Sequence, residues 1–220
     1  MTIFIYLFFS MKIPQLKKKP EIKTCHSSSW EDNYSWIHQD DILEVLKDSE
    51  RLNPEVRTYL EEENSYTEFN LADTKKTQKN LFNEIKGRLK LDDESLPFKD
   101  FDYEYWTKTT IKGNYSIKLR KKIGSNEIEE IWNGDEEKEK LNVEYFGVGD
   151  LTVSFNDKYL AYSLDTKGSE YYTIHIRDIN TKKLVTEKIE ETSGGITFSL
   201  DDKYIFYSKL DKHHRPRKIY

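Results

Sequence analysis

The sequence predicts an α+β chain in which an N-terminal arm and helices precede an incomplete β-propeller of antiparallel blades. Three observations carry this reading. Val153-Ser154-Phe155-Asn156-Asp157-Lys158-Tyr159-Leu160-Ala161-Tyr162-Ser163 recurs without a gap as Phe198-Ser199-Leu200-Asp201-Asp202-Lys203-Tyr204-Ile205-Phe206-Tyr207-Ser208, with 45 residues between Asp157 and Asp202. Each copy reads strand, tight polar turn, strand, and a period of roughly 40–50 residues built from such units is that of a propeller blade. The hydrophobic period also changes from helical to strand-like near Asp92-Asp93-Glu94-Ser95-Leu96-Pro97. Beyond it, turn signals such as Lys112-Gly113-Asn114, Asn133-Gly134-Asp135 and Asn180-Thr181-Lys182 leave little room for helices. A ring closes with roughly 4–8 blades; this sequence holds two and part of a third.

In chain order, residues 1–12 come first. Ile3-Phe4-Ile5-Tyr6-Leu7-Phe8-Phe9 is a run of seven apolar residues, far short of the ~20 that span a bilayer as a helix. No basic residue precedes it, as a signal peptide requires. The expectation is a disordered tail or a mis-assigned start, with Met11 an alternative first residue and a short membrane or export signal the other reading.

Residues 13–97 are expected to form an arm and helices. Pro14, Pro20 and Ser27-Ser28-Ser29 mark residues 12–29 as extended or loop. Trp30, Tyr34 and Trp36 follow, each combining apolar area with one donor, and suit an arm packed on a neighbouring surface. Asp41 to Lys47 predicts a short helix burying Ile42, Val45 and Leu46. Asn53-Pro54 starts a longer one, asparagine as cap and proline at the first helical position, where its missing N–H costs nothing. Asp73 or Thr74 caps a third, whose Leu81, Ile85 and Leu89 recur every fourth residue before Gly87 weakens its last turns.

Residues 98–220 hold the blades. Asp102 to Thr107 is a weaker upstream copy, filling the place of Lys158 to Ser163. Both segments lead to a glycine, Gly113 or Gly168, and then to an alternating strand. Glu136 to Lys140 reads as a charged connecting loop or one helical turn. Composition agrees with a folded chain: 34% charged residues are balanced by 14% aromatics, which supply large buried areas. The net charge of −5 is interspersed, with no concentrated basic face for nucleic acid.

No site motif survives inspection, so no catalytic, cofactor-binding or metal-binding residue is expected. There is no Gly-x-Ser-x-Gly elbow, no Gly-rich loop ending in Lys-Ser/Thr and no His-Glu-x-x-His. Gly147-Val148-Gly149 reads as a turn before a strand, and Thr192-Ser193-Gly194-Gly195 as a blade-to-blade connection needing positive φ. His213-His214 would point to opposite faces of a strand and has no Cys or His partner at ligand spacing. Cys25, the one cysteine, excludes an internal disulfide and fits a reducing cytoplasm. Its neighbour His26 is adjacent only in sequence, which does not make a nucleophile–base pair.

The stretch Trp30-Glu31-Asp32-Asn33-Tyr34-Ser35-Trp36, the segment Asn53-Pro54-Glu55-Val56-Arg57-Thr58-Tyr59-Leu60, and Leu81-Phe82-Asn83-Glu84-Ile85 leading to Leu96-Pro97 together resemble the N-terminal portion of the prolyl oligopeptidase family of serine peptidases. Thr192-Ser193-Gly194-Gly195-Ile196 and Arg215-Pro216 fit its second and third blades, and the oligopeptidase B (protease II) branch is the most similar. The resemblance covers Ile13–Tyr220. It implies a cytoplasmic serine endopeptidase in which a seven-bladed propeller restricts an α/β-hydrolase domain to short peptides, cut after Lys or Arg. It also implies that residues 13–97 pack on the hydrolase domain, where the catalytic Ser, Asp and His reside; that domain is absent from this chain. The expected partners are therefore peptide substrates and a C-terminal hydrolase domain, in cis or in trans, with no nucleic acid and no membrane. The chain alone is expected to be inactive. The alternatives are a non-catalytic propeller-like interaction module and a post-proline peptidase fragment.

Overall fold

The computed structural model of the protein describes residues 11–220. The expected disordered or mis-assigned start lies outside them, apart from Met11 and Lys12, which carry no regular structure. The chain divides into two compact units, one ending at Leu89 and the other spanning Lys90–Tyr220. That division lies ahead of the boundary placed at Pro97, because the stretch before Pro97 already pairs into a sheet.

In the first unit, β1 (Glu21–Cys25) pairs antiparallel with β2 (Ser28–Asp32), from Glu21↔Asp32 to Cys25↔Ser28. The extended-or-loop reading of residues 12–29 misses this hairpin because its apolar residues do not alternate. Its two-residue turn rests on His26 in the left-handed region, φ 52°. The Trp36 indole donates to the Lys17 carbonyl at 2.9 Å. The Lys19 ammonium lies 4.1 Å above the same ring and pairs with Glu55 at 2.8 Å, fastening the arm to the helix that begins at Pro54. Trp30 and Tyr34 are exposed.

Helix α1 (Ile42–Lys47) buries Val45. At the start of α2 (Pro54–Asn70), the Asn53 side chain accepts from the Glu55 N–H at 2.9 Å and Pro54 takes the first helical position. Thr74 is the cap residue of α3 (Lys75–Gly87), but its hydroxyl donates to the Leu71 carbonyl at 2.7 Å and makes no cap bond to the helix. The α3 stripe of Leu81, Phe82 and Ile85, continued by Leu89, is 52–61% exposed.

The second unit contains two antiparallel sheets. In the first, β3 (Asp93–Glu94) and β4 (Phe98–Asp100) lie along the same edge of β5 (Tyr103–Thr109). They are one edge strand broken at Pro97, which has no N–H to give the ladder. β6 (Ile117–Lys122) and β7 (Ile128–Asn133) complete the sheet. The connection to the second sheet is α4 (Gly134–Leu141), where the sequence reading expects a loop or a single turn. The helix forms because Asn133 accepts from the Glu136 N–H and donates its amide to the Glu136 carboxylate, both at 3.3 Å. Acids fill its first turn and lysines its last, complementing the helix dipole.

The second sheet runs in sequence order through β8 (Gly147–Val153), β9 (Tyr159–Asp165), β10 (Tyr172–Asp178), β11 (Ile189–Phe198), β12 (Ile205–Leu210) and β13 (Pro216–Ile219). Two four-stranded blades and part of a third are expected; in the structure β10 also pairs with β11, at Tyr172↔Thr192 and Ile174↔Ile189, and makes the ladder continuous. Where a fourth strand should close the second blade, the backbone makes a single bridge from Arg177 to Leu184. Lys182 stands there at φ 56°, and Leu184 and Val185 are exposed.

The repeat is reproduced bond for bond. Ser154 N–H donates to the Tyr159 carbonyl at 2.9 Å and Ser199 to Tyr204 at 2.9 Å. The Ser154 hydroxyl donates to Asn156 at 2.8 Å and accepts from the Tyr159 N–H at 2.8 Å; Ser199 does the same with Asp201 at 2.7 Å and Tyr204 at 3.0 Å. Asp157 and Asp202 occupy the left-handed region at φ 57° and 55°. Phe101, at the same place in the weak copy, has φ 45°, so the degenerate sequence retains the backbone turn.

Two apolar layers hold the sheets. Tyr105, Ile131 and Trp132 of the first sheet pack against Leu160, Tyr162 and Leu164 of β9. On the other face of the second sheet, Ala161, Ile174 and Ile176 meet Ile196 and Phe198. β9 is thus buried on both faces.

Candidate functional site

The densest chemistry in the chain lies where the two sheets of the second unit meet. Even-numbered Ile174 and Ile176 of β10 belong to the outer apolar layer, so His175 and Arg177 point toward the first sheet. Arg177 pairs with Glu137 of α4 at 2.7 Å and donates to the Ile131 carbonyl at 2.6 Å. Its guanidinium lies 5.4 Å from the ring centres of both Trp132 and Tyr162. Arg177 is 6% exposed and Trp132 2%. Desolvation by burial, followed by the positive charge of Lys188, pushes the His175 pKa down from 6.5 to about 4, against the opposing charge of Glu137.

A second polar cluster follows from the repeat turns. Asp157 accepts from the Tyr105 hydroxyl at 2.5 Å, while the Arg120 guanidinium donates to the Asp157 carbonyl at 2.5 Å and pairs with Glu129 at 2.7 Å. Burial pushes the Tyr105 hydroxyl well above its ordinary pKa, and the hydrogen bond to Asp157 adds to the shift. One blade on, the Asp202 carboxylate accepts from the N–H groups of Phe155 and Asn156 at 2.8 and 2.7 Å. The turn aspartate of each copy therefore reaches back to the preceding blade. Its role is to clip blades together.

The motifs singled out in the sequence are scattered. Gly147-Val148-Gly149 is part of β8 itself, not a turn before it. A Cβ on Gly149 would stand 2.7 Å from the Ser163 hydroxyl and from the Tyr172 ring. Thr192 to Gly195 also lies within a strand, β11, bulged between Thr192 and Ile196; Gly194 has the expected positive φ, 96°. Tyr172 thus sits against glycines on two strands. Gly149→Ala should lower stability by about 1–3 kcal/mol through overpacking, with Gly194→Ala adding left-handed backbone strain. Urea unfolding of both variants checks this, and an unchanged midpoint for Gly149→Ala refutes it.

His213 and His214 occupy the turn between β12 and β13, not a strand, because the Asp211 carboxylate accepts from the N–H groups of His213 and Arg215 at 2.8 and 3.2 Å. Cys25 is exposed at the end of β1. Among the described residues, no group of three or more His, Cys, Asp or Glu could hold a metal ion. None of the described helices is long and apolar enough to cross a membrane. Two clefts border the apolar layers. One, of about 170 Å³, is lined by Tyr105, Trp106, Lys118 and Leu151, and the other, of about 620 Å³, by Tyr159, Phe198, Lys203 and Ile205. Neither lining includes a serine, cysteine or histidine.

Comparison with known proteins gives this geometry its context. Residues 14–220 match the family described as prolyl oligopeptidase, N-terminal beta-propeller domain. The chain is 28% identical to dipeptidyl aminopeptidase BI of Pseudoxanthomonas mexicana, over 90% of its own length and 28% of the relative's. It is 26% identical to protease 2 of Moraxella lacunata, over 96% and 30% respectively. The chain thus spans less than a third of the length of either curated relative. Among solved structures, it resembles oligopeptidase B from Leishmania major with a TM-score of 0.81 at 23% identity, covering 94% of this chain and 30% of that one.

Proposed function

We propose, from the premise that the chain belongs to the prolyl oligopeptidase family, that it is the propeller side of an oligopeptidase B-like serine endopeptidase. The observation that carries this reading is the family match over residues 14–220, which takes in both units, the second of them built of antiparallel blade strands. The substrates are short peptides cut after Lys or Arg, the propeller limits their size, and the compartment is the cytoplasm. Residues 98–220 supply blades. Residues 13–97 supply an arm and helices that pack on a C-terminal hydrolase domain, a role supported by the exposed Leu81, Phe82, Ile85 and Leu89.

Residues 1–220 alone hydrolyse no peptide. Acyl transfer requires an activated nucleophile, a base to take its proton and donors for the oxyanion. The reading is supported by the clefts described above, whose linings hold no serine, cysteine or histidine. The test uses fluorogenic peptides ending in Arg, Lys or Pro, first with the chain alone and then with a C-terminal hydrolase domain joined to it. Turnover after Arg and Lys only in the joined protein is the expected result. Turnover after Pro reassigns the specificity, activity in the chain alone overturns the division of labour, and inactivity of both favours an interaction module.

A further inference from the structure

The junction of the two sheets holds a column of aromatic and charged side chains for which the proposed activity has no use. His175 is the cross-strand partner of Tyr162, and their rings are parallel within 3° at 5.0 Å between centroids. Trp132 meets the same tyrosine at 4.6 Å. The charged groups around His175 are Arg177 on its own strand, Lys188 on the chain entering β11 and Glu137 from α4. β9 presents the Tyr162 phenol and β7 the indole of Trp132, neither of them charged. Glu137 already serves Arg177 at 2.7 Å and Lys140 at 3.4 Å.

We propose that this column is an acid-released latch, in which a proton taken up by His175 opens the junction between the two sheets while β8–β13 stay paired. An imidazolium here would meet the positive charge of Lys188 and find Glu137 already engaged by Arg177 and Lys140. His175 is 7% exposed, so solvent relieves little of the charge. No backbone ladder joins the two sheets, whereas β10 and β11 share one. Side-chain contacts alone resist the opening.

The direction with pH follows from the depressed value. The open form binds the proton more readily than the closed form, so the latch is fully closed above about 6.5 and loses stability as pH falls toward about 4. Across that window, the opening equilibrium rises by roughly two orders of magnitude.

Hydroxyl-radical footprinting of the full chain from pH 7 to pH 4, read residue by residue by mass spectrometry, tests this, with amide exchange followed in parallel. Oxidation of Trp132 and Tyr162 should rise with acid while the amides of β9–β12 remain protected. His175→Phe keeps an aromatic ring but cannot take the proton, and should abolish the rise; His175→Gln serves as a second neutral variant. An equal rise in either variant overturns the latch. Should neither variant fold, the wild type still decides, because loss of β9–β12 protection at the same pH as Trp132 exposure means global acid unfolding and refutes the proposal.

Discussion

Arg177→Ala is expected to destabilise the fold by about 3–5 kcal/mol, the usual cost of leaving one member of a buried ion pair without its partner. The substitution leaves Glu137 with the more exposed Lys140 at 3.4 Å and removes the donor to the Ile131 carbonyl. It also takes away the guanidinium that lies beside Trp132 and Tyr162. Glu137→Gln should cost less, since a neutral amide can still accept from Arg177. The double variant Arg177→Met with Glu137→Gln should recover much of the loss, because an unbranched apolar chain fills the space and no charge is left buried. Urea denaturation measures these losses, and the coupling follows from the cycle of Arg177→Met and Glu137→Gln made singly and together. A single Arg177→Ala within 1 kcal/mol of wild type would mean that water reaches Glu137.

Asp165→Ala should cost a comparable amount through a different mechanism. The side chain is 1% exposed and accepts from three backbone N–H groups, those of Lys167 and Glu170 at 2.8 Å and Gly168 at 3.0 Å. It holds a loop in which Gly168 and Glu170 both have positive φ, 79° and 59°. Alanine leaves those donors without their carboxylate at about 1–3 kcal/mol each, less whatever water recovers. A total near 3–4 kcal/mol follows. Asp165→Asn keeps one acceptor oxygen and should lose about half as much. Amide exchange at Lys167, Gly168 and Glu170 distinguishes this from a global effect, since those three amides should accelerate first.

The repeat around Asp157 and Asp202 is legible because each turn is built locally. Serine, Asn or Asp two positions on, and the tyrosine five positions on supply every bond within the motif. α2 is legible for the same reason, its cap and proline lying next to its first turn. What lies across space is not legible. The strand Tyr172-Thr173-Ile174-His175-Ile176-Arg177 alternates as if one face met water, and only the packing of the first sheet against it turns His175 and Arg177 into buried groups. The β1–β2 hairpin lacks alternation, and the missing fourth strand of the second blade depends on β11 taking its place beside β10. The absence of a site motif is a statement about short patterns, and such patterns carry no information about the polar column between the sheets.

The continuous ladder from β8 to β13 also has a mechanical consequence. Pulled apart by its ends, the second unit cannot separate its later blades as rigid plates, because each strand in that stretch is stitched to the next by backbone bonds. Between β7 and β8 there is no such stitching, and tension crosses by way of α4 and the side-chain contacts between the two sheets. The joint at α4 is therefore the compliant element of the unit, and the six strands beyond it carry load as a single body.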